Sequence, residues 1–424
     1  MRRLIMTAVA FAAVVVTPVG TAAADSGCRD TAVPLTVEEQ RLTRVLGDGP
    51  VPVATELLRR SGFDRNVAQF EQALCAAGSE RAARGVVTGH GRRLWELAVE
   101  RARDGAPAGA TLPGGDDRPL YWARLAMTSA LRQWTPGFAV DRPALERILE
   151  YVSRGITSSR FEGTPGVRKL FVSGFDPFLL DQEIRRGNPS GAGVLPLDGR
   201  IVEVAGRLVE IEVAVFPVRY ADFDRGMVED AFRPHYAAGR QRADMIATVS
   251  QGRPDAFDIE AWNGRRRSTS SVGDNNNIWG GGTSTAPVVF PGIGPGPEFV
   301  PSSLPLEAMA APTGQPFLAR VNRSVVEIPA GSTTPVFRPD GPTEGSIAVQ
   351  GGGGGYLSNE IAYRNTLLRD AYGLATPAGH VHTPVLTMDP GNTGEVTDPT
   401  FERNRADITA QLLLILRAGA ATLG

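Results

Sequence analysis

Histidine is scarce in this chain of 424 residues: His90, His235, His380 and His382 are the full set. Proton transfer near neutral pH falls first to histidine, whose ordinary pKa lies there, so the choice of general base is narrow. His380 and His382 form a His-Val-His sequence, which on a strand sets both rings on one face. A metal reading of that pair needs a third ligand, and no nearby carboxylate or histidine has suitable spacing, so neither metal nor cofactor is expected. His90 in a Gly-rich turn and His235 beside Pro234 read as surface positions.

A second candidate is the unbroken run Gly351 to Gly355, followed by Tyr356-Leu357-Ser358-Asn359 and a helix-like stretch to Tyr372. A Gly-rich turn ahead of a helix lets backbone amides approach a ligand, and the helix start favours negative charge. No Gly-Lys-Ser/Thr follows, so this is not a nucleotide P-loop, and no acidic partner completes a dinucleotide fingerprint. Ser358 then reads either as a capping residue or as a nucleophile whose attacked carbonyl develops charge where amides already point. The residues alone leave both open.

These candidates need a scaffold, and the chain changes texture along its length. From about Thr36 to Ser159 the spacing is helical: Val37 to Leu46, Val53 to Arg60, Asn66 to Ala77, Arg92 to Arg103, Tyr121 to Gln133 and Arg142 to Ser153. Trp95, Tyr121, Trp122 and Trp134 lie among these helices and read as core. After Gly163-Thr164-Pro165-Gly166 come strand patterns at Val167 to Ser173 and Leu208 to Phe216, a helix at Asp222 to Ala238 and a strand at Met245 to Val249. Strands at Ser346–Val349 and His380–Leu386 and a helix at Phe401–Leu416 complete an α/β pattern. Residues 268–301, rich in Gly, Pro and Asn, read as a flexible insertion or a lid.

Hydrophobic residues make up 42% and charged residues 21%, which excludes a polytopic membrane protein and a wholly disordered chain. The net charge is −2 and Lys169 is the single lysine, so no general attraction to nucleic acid is expected. Arg2 and Arg3, an apolar run to Val16 and Thr21-Ala22-Ala23-Ala24 form the pattern of a signal peptide over residues 1–24. The expectation is a secreted protein, free of the membrane after cleavage. In an oxidising compartment Cys28 and Cys75 pair, closing a loop of 46 intervening residues. That disulfide is worth about 3–4 kcal/mol in the loop-entropy model.

Six segments belong together: Val172-Ser173-Gly174-Phe175-Asp176-Pro177-Phe178, Asn188-Pro189-Ser190, Phe257-Asp258-Ile259-Glu260, Ser302-Ser303-Leu304-Pro305, Gly354-Gly355-Tyr356-Leu357-Ser358-Asn359 and Val381-His382-Thr383-Pro384. As an ensemble they resemble the pyroglutamyl peptidase I (pyrrolidone-carboxylate peptidase) family. The resemblance covers roughly Val167 to Leu416 and not the helical region before it. It implies a three-layer α/β/α sandwich around a mixed sheet, over residues 167–424, preceded by an all-helical domain over 25–160. It also implies Ser358 as nucleophile in place of the family's cysteine, His382 as base and Glu260 as its orienter. Phe175, Phe178, Tyr356 and Leu357 would line an apolar pocket for a pyroglutamyl ring, with Asn188 and Gln251 as further pocket residues. The family's Asp-Ala-Arg after the glutamate is replaced by Arg265-Arg266-Arg267 and a serine-rich loop, so the arginine role is unassigned.

The implied function is release of N-terminal pyroglutamyl groups, or cleavage of a related amide, with a small peptide or pyroglutamyl amide as substrate. The alternative is a catalytically silent binding protein that has lost the cysteine. A serine hydroxyl, unlike a thiolate, must lose its proton as it attacks, which makes His382 indispensable. The helical region has no role implied by the resemblance, and an oligomer is left open.

Overall fold

The computed structural model describes residues 27–314 and 316–424. The signal pattern at residues 1–24 lies outside the described residues. The helical half comprises α1 (Val37–Gln40), α2 (Val53–Ser61), α3 (Asp64–Cys75), α4 (Glu80–Asp104), α5 (Arg118–Gln133) and α6 (Arg142–Val152). Thr36 opens α1 with a reciprocal capping box to Glu39, and Asp141 caps α6 by accepting from the Ala144 amide. The expected helix at 37–46 is shorter: it ends at Gln40 and passes into a 3-10 turn, Arg41–Thr43.

His90, expected in a turn, lies inside α4. One of the glycines that suggested a turn serves packing instead: a Cβ on Gly91 would stand 2.5 Å from the Val152 side chain, so glycine lets α4 and α6 approach closely. A disulfide joins Cys28 to Cys75 at the end of α3. Trp95, Tyr121, Trp122 and Trp134 are buried in the core.

The α/β half contains strands β1 (Arg168–Phe175), β2 (Arg200–Val204), β3 (Arg207–Phe216), β4 (Met245–Gln251), β5 (Ala256–Glu260), β6 (Trp262–Gly264) and β7 (Arg266–Arg267). They are followed by β8 (Val288–Val289), β9 (Phe299–Pro301), β10 (Leu318–Asn322), β11 (Val325–Ile328), β12 (Val336–Arg338), β13 (Ile347–Gln350) and β14 (Ala378–Thr383). Its helices are α7 (Pro189–Val194), α8 (Tyr220–Asp224), α9 (Met227–Tyr236), α10 (Leu306–Ala310), α11 (Leu357–Ala371) and α12 (Pro399–Ala420). The helix expected at 222–238 is broken at Gly226, whose φ of 87° no helix can accept, which separates α8 from α9.

Seven strands form one mixed sheet in the order β10-β5-β14-β4-β1-β3-β2. The β14 pairing is parallel to β4 and antiparallel to β5, so the C-terminal half of β14 lies beside residues from both neighbours. Strand periodicity divides the core. Leu170, Val172, Ile211, Val213, Met245, Ala247, Ile259 and Val381 face one side, where they join Ile408 and Leu412 of α12 and the helical half in one continuous cluster. Phe171, Phe175, Ala214, Phe216 and Ile246 face the other, against α9 and Leu357 and Ile361 of α11.

His235, expected at the surface, belongs to this second side: it is buried, stacks on Phe171 at 3.9 Å, and its Nδ1 pairs with the Gln241 carbonyl at 2.9 Å. Burial lowers its pKa to about 4, so it is a neutral packing group. A separate three-stranded antiparallel sheet, in the order β12-β11-β13, precedes the glycine run.

Candidate active site

On the α11 side of the sheet the apolar alternation stops before the strands end. Thr248 and Ser250 of β4, His380 and His382 of β14, and Glu260 of β5 take the last inward positions, and the pairings place Thr248 beside His380, Ser250 beside His382 and His380 beside Glu260. The two histidine rings stand edge to face at 4.7 Å.

Their surroundings separate their roles. His382 Nδ1 is 2.7 Å from Glu260 Oε1, and Glu260 Oε2 accepts from Asn322 Nδ2 at 2.7 Å. A carboxylate only accepts, so Nδ1 carries the imidazole proton and Nε2 is left as an acceptor. His380 is held between the Thr248 hydroxyl at 2.7 Å and the Ser250 hydroxyl at 2.8 Å. Burial, and then the neighbouring His382, hold its pKa well below the ordinary range, so His380 remains neutral.

Two glycines allow this density. A Cβ on Gly352 would fall 2.0 Å from Glu260 Oε2, and one on Gly252 would fall 2.5 Å from the His382 Cβ. Gly352 of the glycine run and Gly252 after β4 therefore pack against the Glu260–His382 pair, where a side chain at either would collide.

Ser358 sits in the first turn of α11, half-buried. The helix has no side-chain cap; the Asn359 and Glu360 amides donate to the Tyr356 carbonyl, which leaves those of Leu357 and Ser358 for a ligand. Among the described residues no hydrogen bond joins the Ser358 hydroxyl to His382. Phe175, Phe178, Asn188, Gln251, Tyr356 and Leu357 line one cavity with Ser358, together with Val218 and Ser250. Phe178 and Tyr356 stack across it at 6.4 Å, and the remaining space is about 20 Å³, little more than one water needs.

Asn188 is committed to structure. Its amide nitrogen donates to the Asp176 carbonyl at 2.8 Å, and its Oδ1 accepts from the Ser190 amide and hydroxyl. Gln251, half-buried at the end of β4, makes no side-chain hydrogen bond among the described residues and is the available amide.

The three arginines after Glu260 serve the following loop. Arg265 reaches the Gly294 carbonyl, Arg266 pairs with Glu298 at 2.7 Å, and Arg267 pairs with Glu360 at 2.7 Å and Asp224 at 2.5 Å. Arg267 also lies over the Tyr220 ring at 4.5 Å, and Tyr220 meets Tyr356 edge-on, so this arginine supports a wall of the cavity. Residues 268–301 close over the same wall: Tyr356 donates to the Gly273 carbonyl, and Asn275 donates to the Pro177 carbonyl.

The helical half reaches the cavity from behind. Asp176, next to Phe175, is buried between Arg124 at 3.0 Å and Arg154 at 2.5 Å. Asp117 accepts from the Asn188 backbone amide at 3.0 Å. Burial and the neighbouring Asp116 push the Asp117 carboxyl up to about 7. None of these supports was visible in the sequence, because each joins segments far apart in the chain; the same holds for Asn322 and for the Ser250–His380 pair.

Comparison with known proteins gives the chain its relatives. Residues 21–152 match the model of the PA0049 N-terminal domain, and residues 169–296 and 315–387 match that of the PA0049 C-terminal domain. The uncharacterized protein PA0049 of Pseudomonas aeruginosa is 35% identical, over 90% of this chain and 88% of its own length. Among solved structures, pyrrolidone carboxyl peptidase from Pyrococcus furiosus aligns at 16% identity and a TM-score of 0.40, covering 60% of this chain and 100% of its own. Pyroglutamyl peptidase I from Bacillus amyloliquefaciens aligns at 16% and 0.39, covering 60% and 96%. Pyrrolidone carboxyl peptidase from Thermococcus litoralis aligns at 13% and 0.39, covering 60% and 94%. Both domain models and the Pseudomonas relative span most of the sequence: the chain belongs to the PA0049 family.

Proposed function

We propose that this chain is a serine amidase of pyroglutamyl-peptidase type. The observation that carries the reading is the Glu260–His382 pair at 2.7 Å, set on adjacent strand ends beside the glycine run that leads into Ser358. Ser358 attacks the carbonyl carbon of the amide, and its proton passes to His382 Nε2. The C–N bond then breaks, the proton goes to the departing amine, and an ester joins the acyl group to Ser358. Water resolves the ester by the same base. Glu260, anchored by Asn322, fixes the tautomer of His382 and stabilises it while it carries the extra proton. The uncapped N–H groups at the start of α11 face the developing oxyanion.

The acyl cavity supports a small, flat, largely apolar group: Phe175, Phe178, Tyr356 and Leu357 supply its walls, and the Gln251 amide supplies one polar contact. A pyroglutamyl ring has that shape and that need. The Cys28–Cys75 disulfide favours an oxidising compartment, and so supports export.

The test is hydrolysis of a fluorogenic pyroglutamyl amide by the mature chain, with Ser358→Ala alongside. Turnover that is lost in the alanine variant supports the reading. A folded chain that binds pyroglutamate, seen as a rise in melting temperature, yet turns nothing over would instead support the silent binding protein.

A further inference from the structure

The reacting residues lie on two separate concavities. Ser358 lines the acyl cavity, whereas Glu260 and His382 line a cleft of about 230 Å³ walled by Gly351 to Gly354. In acyl transfer the base that takes the nucleophile's proton returns it to the departing amine. The departing group must therefore lie on the His382 side, in this cleft.

The far wall of the cleft is the small sheet β12-β11-β13. Val326 pairs with Phe337 on one side and with Gln350 on the other, so Gln350, Val326 and Phe337 form one row across the three strands, and all three line the cleft. Phe337 is 63% exposed and belongs to no core cluster among the described residues. A phenyl ring left in water at the rim of a cleft, beside a valine of the same row, offers an apolar surface to whatever enters. Facing it is Arg253, whose side chain is 62% exposed. Its nearest carboxylate, Asp258, is 4.0 Å away and already held by Arg320 at 2.6 Å, so the Arg253 guanidinium is only loosely engaged.

We propose that this cleft is a leaving-group site for a short peptide, with an apolar residue directly after the scissile bond against Val326 and Phe337 and its terminal carboxylate on Arg253. The inference rests on the amidase reading and adds to it a substrate class.

The experiment compares kcat/KM for pyroglutamyl-phenylalanine, pyroglutamyl-glycine and pyroglutamyl-phenylalanine amide. It uses the mature chain and the variants Phe337→Ala and Arg253→Gln, both at exposed positions whose folding is checked by melting. The expected result is a preference of about tenfold for phenylalanine over glycine, lost in Phe337→Ala. A preference of about fivefold for the free acid over the amide is lost in Arg253→Gln. Each variant retains the other preference. Equal rates on all three substrates, with turnover intact, would overturn the leaving-group site and leave the amidase standing. Absence of turnover on every substrate would overturn both.

Discussion

Replacing Gly352 by alanine should disable the site without touching any residue that reacts. The new methyl group would lie 2.0 Å from Glu260 Oε2 and 2.8 Å from its Cδ, whereas ordinary contact begins at 3.4 Å. The carboxylate must retreat by roughly 1.4 Å, or the glycine backbone must move by as much. Glu260 cannot retreat freely, because Oε1 is bonded to His382 and Oε2 to Asn322, both at 2.7 Å.

A misplacement of ~1 Å costs roughly a hundredfold in rate, and loss of the orienting carboxylate altogether costs about ten-thousandfold. The expected fall in kcat therefore lies between these limits, with a stability loss of about 1–3 kcal/mol from overpacking. The assay is kcat on a pyroglutamyl amide, with melting to confirm the fold. Shortening Glu260 to aspartate withdraws the carboxylate by about one bond length, near 1.5 Å. Glu260→Asp should therefore partly relieve Gly352→Ala: the double variant should be faster than the product of the two single effects. Strict additivity, or a Gly352→Ala variant with natural activity, would refute the claim that the glycine run positions Glu260.

Other perturbations follow from the buried groups. Asp117 has a folded-state pKa of about 7, above its ordinary 3.8, so the folded chain binds the proton more tightly than the unfolded one. Its contribution is fully present below pH ~4 and is lost as pH rises through ~7. Asp117→Asn should therefore gain stability relative to the natural chain across that interval in urea titrations, and parallel curves would contradict the assignment. His380→Phe leaves the Thr248 and Ser250 hydroxyls without their shared partner, and should cost about 2–4 kcal/mol in denaturant unfolding; a loss under 0.5 kcal/mol would show the hydroxyls satisfied elsewhere. Asp176→Ala leaves Arg124 buried without its carboxylate and Arg154 with Glu150 alone, and should cost about 3–5 kcal/mol. Since one apolar cluster runs through both halves, that loss should appear as a single calorimetric transition, and two separate transitions would show that the halves melt independently.

Legibility in the sequence followed chain distance. The glycine run, Ser358 and His382 are local patterns, a turn before a helix and a short strand, so their placement could be read from neighbours in the chain, while their roles came only through the resemblance. The alternation of β3 was equally plain, because Val209, Ile211, Val213 and Val215 form a continuous apolar set on one face. Glu260 became a candidate only through resemblance, since nothing within its own segment marks it; its partner His382 comes 122 residues later. Asn322, which anchors Glu260, sits at the end of a five-residue strand with no local sign of its task. The misread histidines share one cause. His90 was judged by glycines that α4 contains, of which Gly91 relieves helix packing, and His235 by a proline that α9 tolerates within its length. In both cases tertiary contact overrode a local breaker.

The bracing of the helical half also bears on how the molecule is made. Buried Arg118 of α5 donates to the Arg185 and Val396 carbonyls, and its neighbour Asp116 meets Arg405 of α12 at 3.5 Å. The Arg118–Val396 bond spans 278 residues. These contacts of the first half are thus completed only once the last helix exists, and closure over such separations is slow. The Cys28–Cys75 disulfide of the same half joins residues only 47 apart, a far shorter closure than the Arg118–Val396 bond.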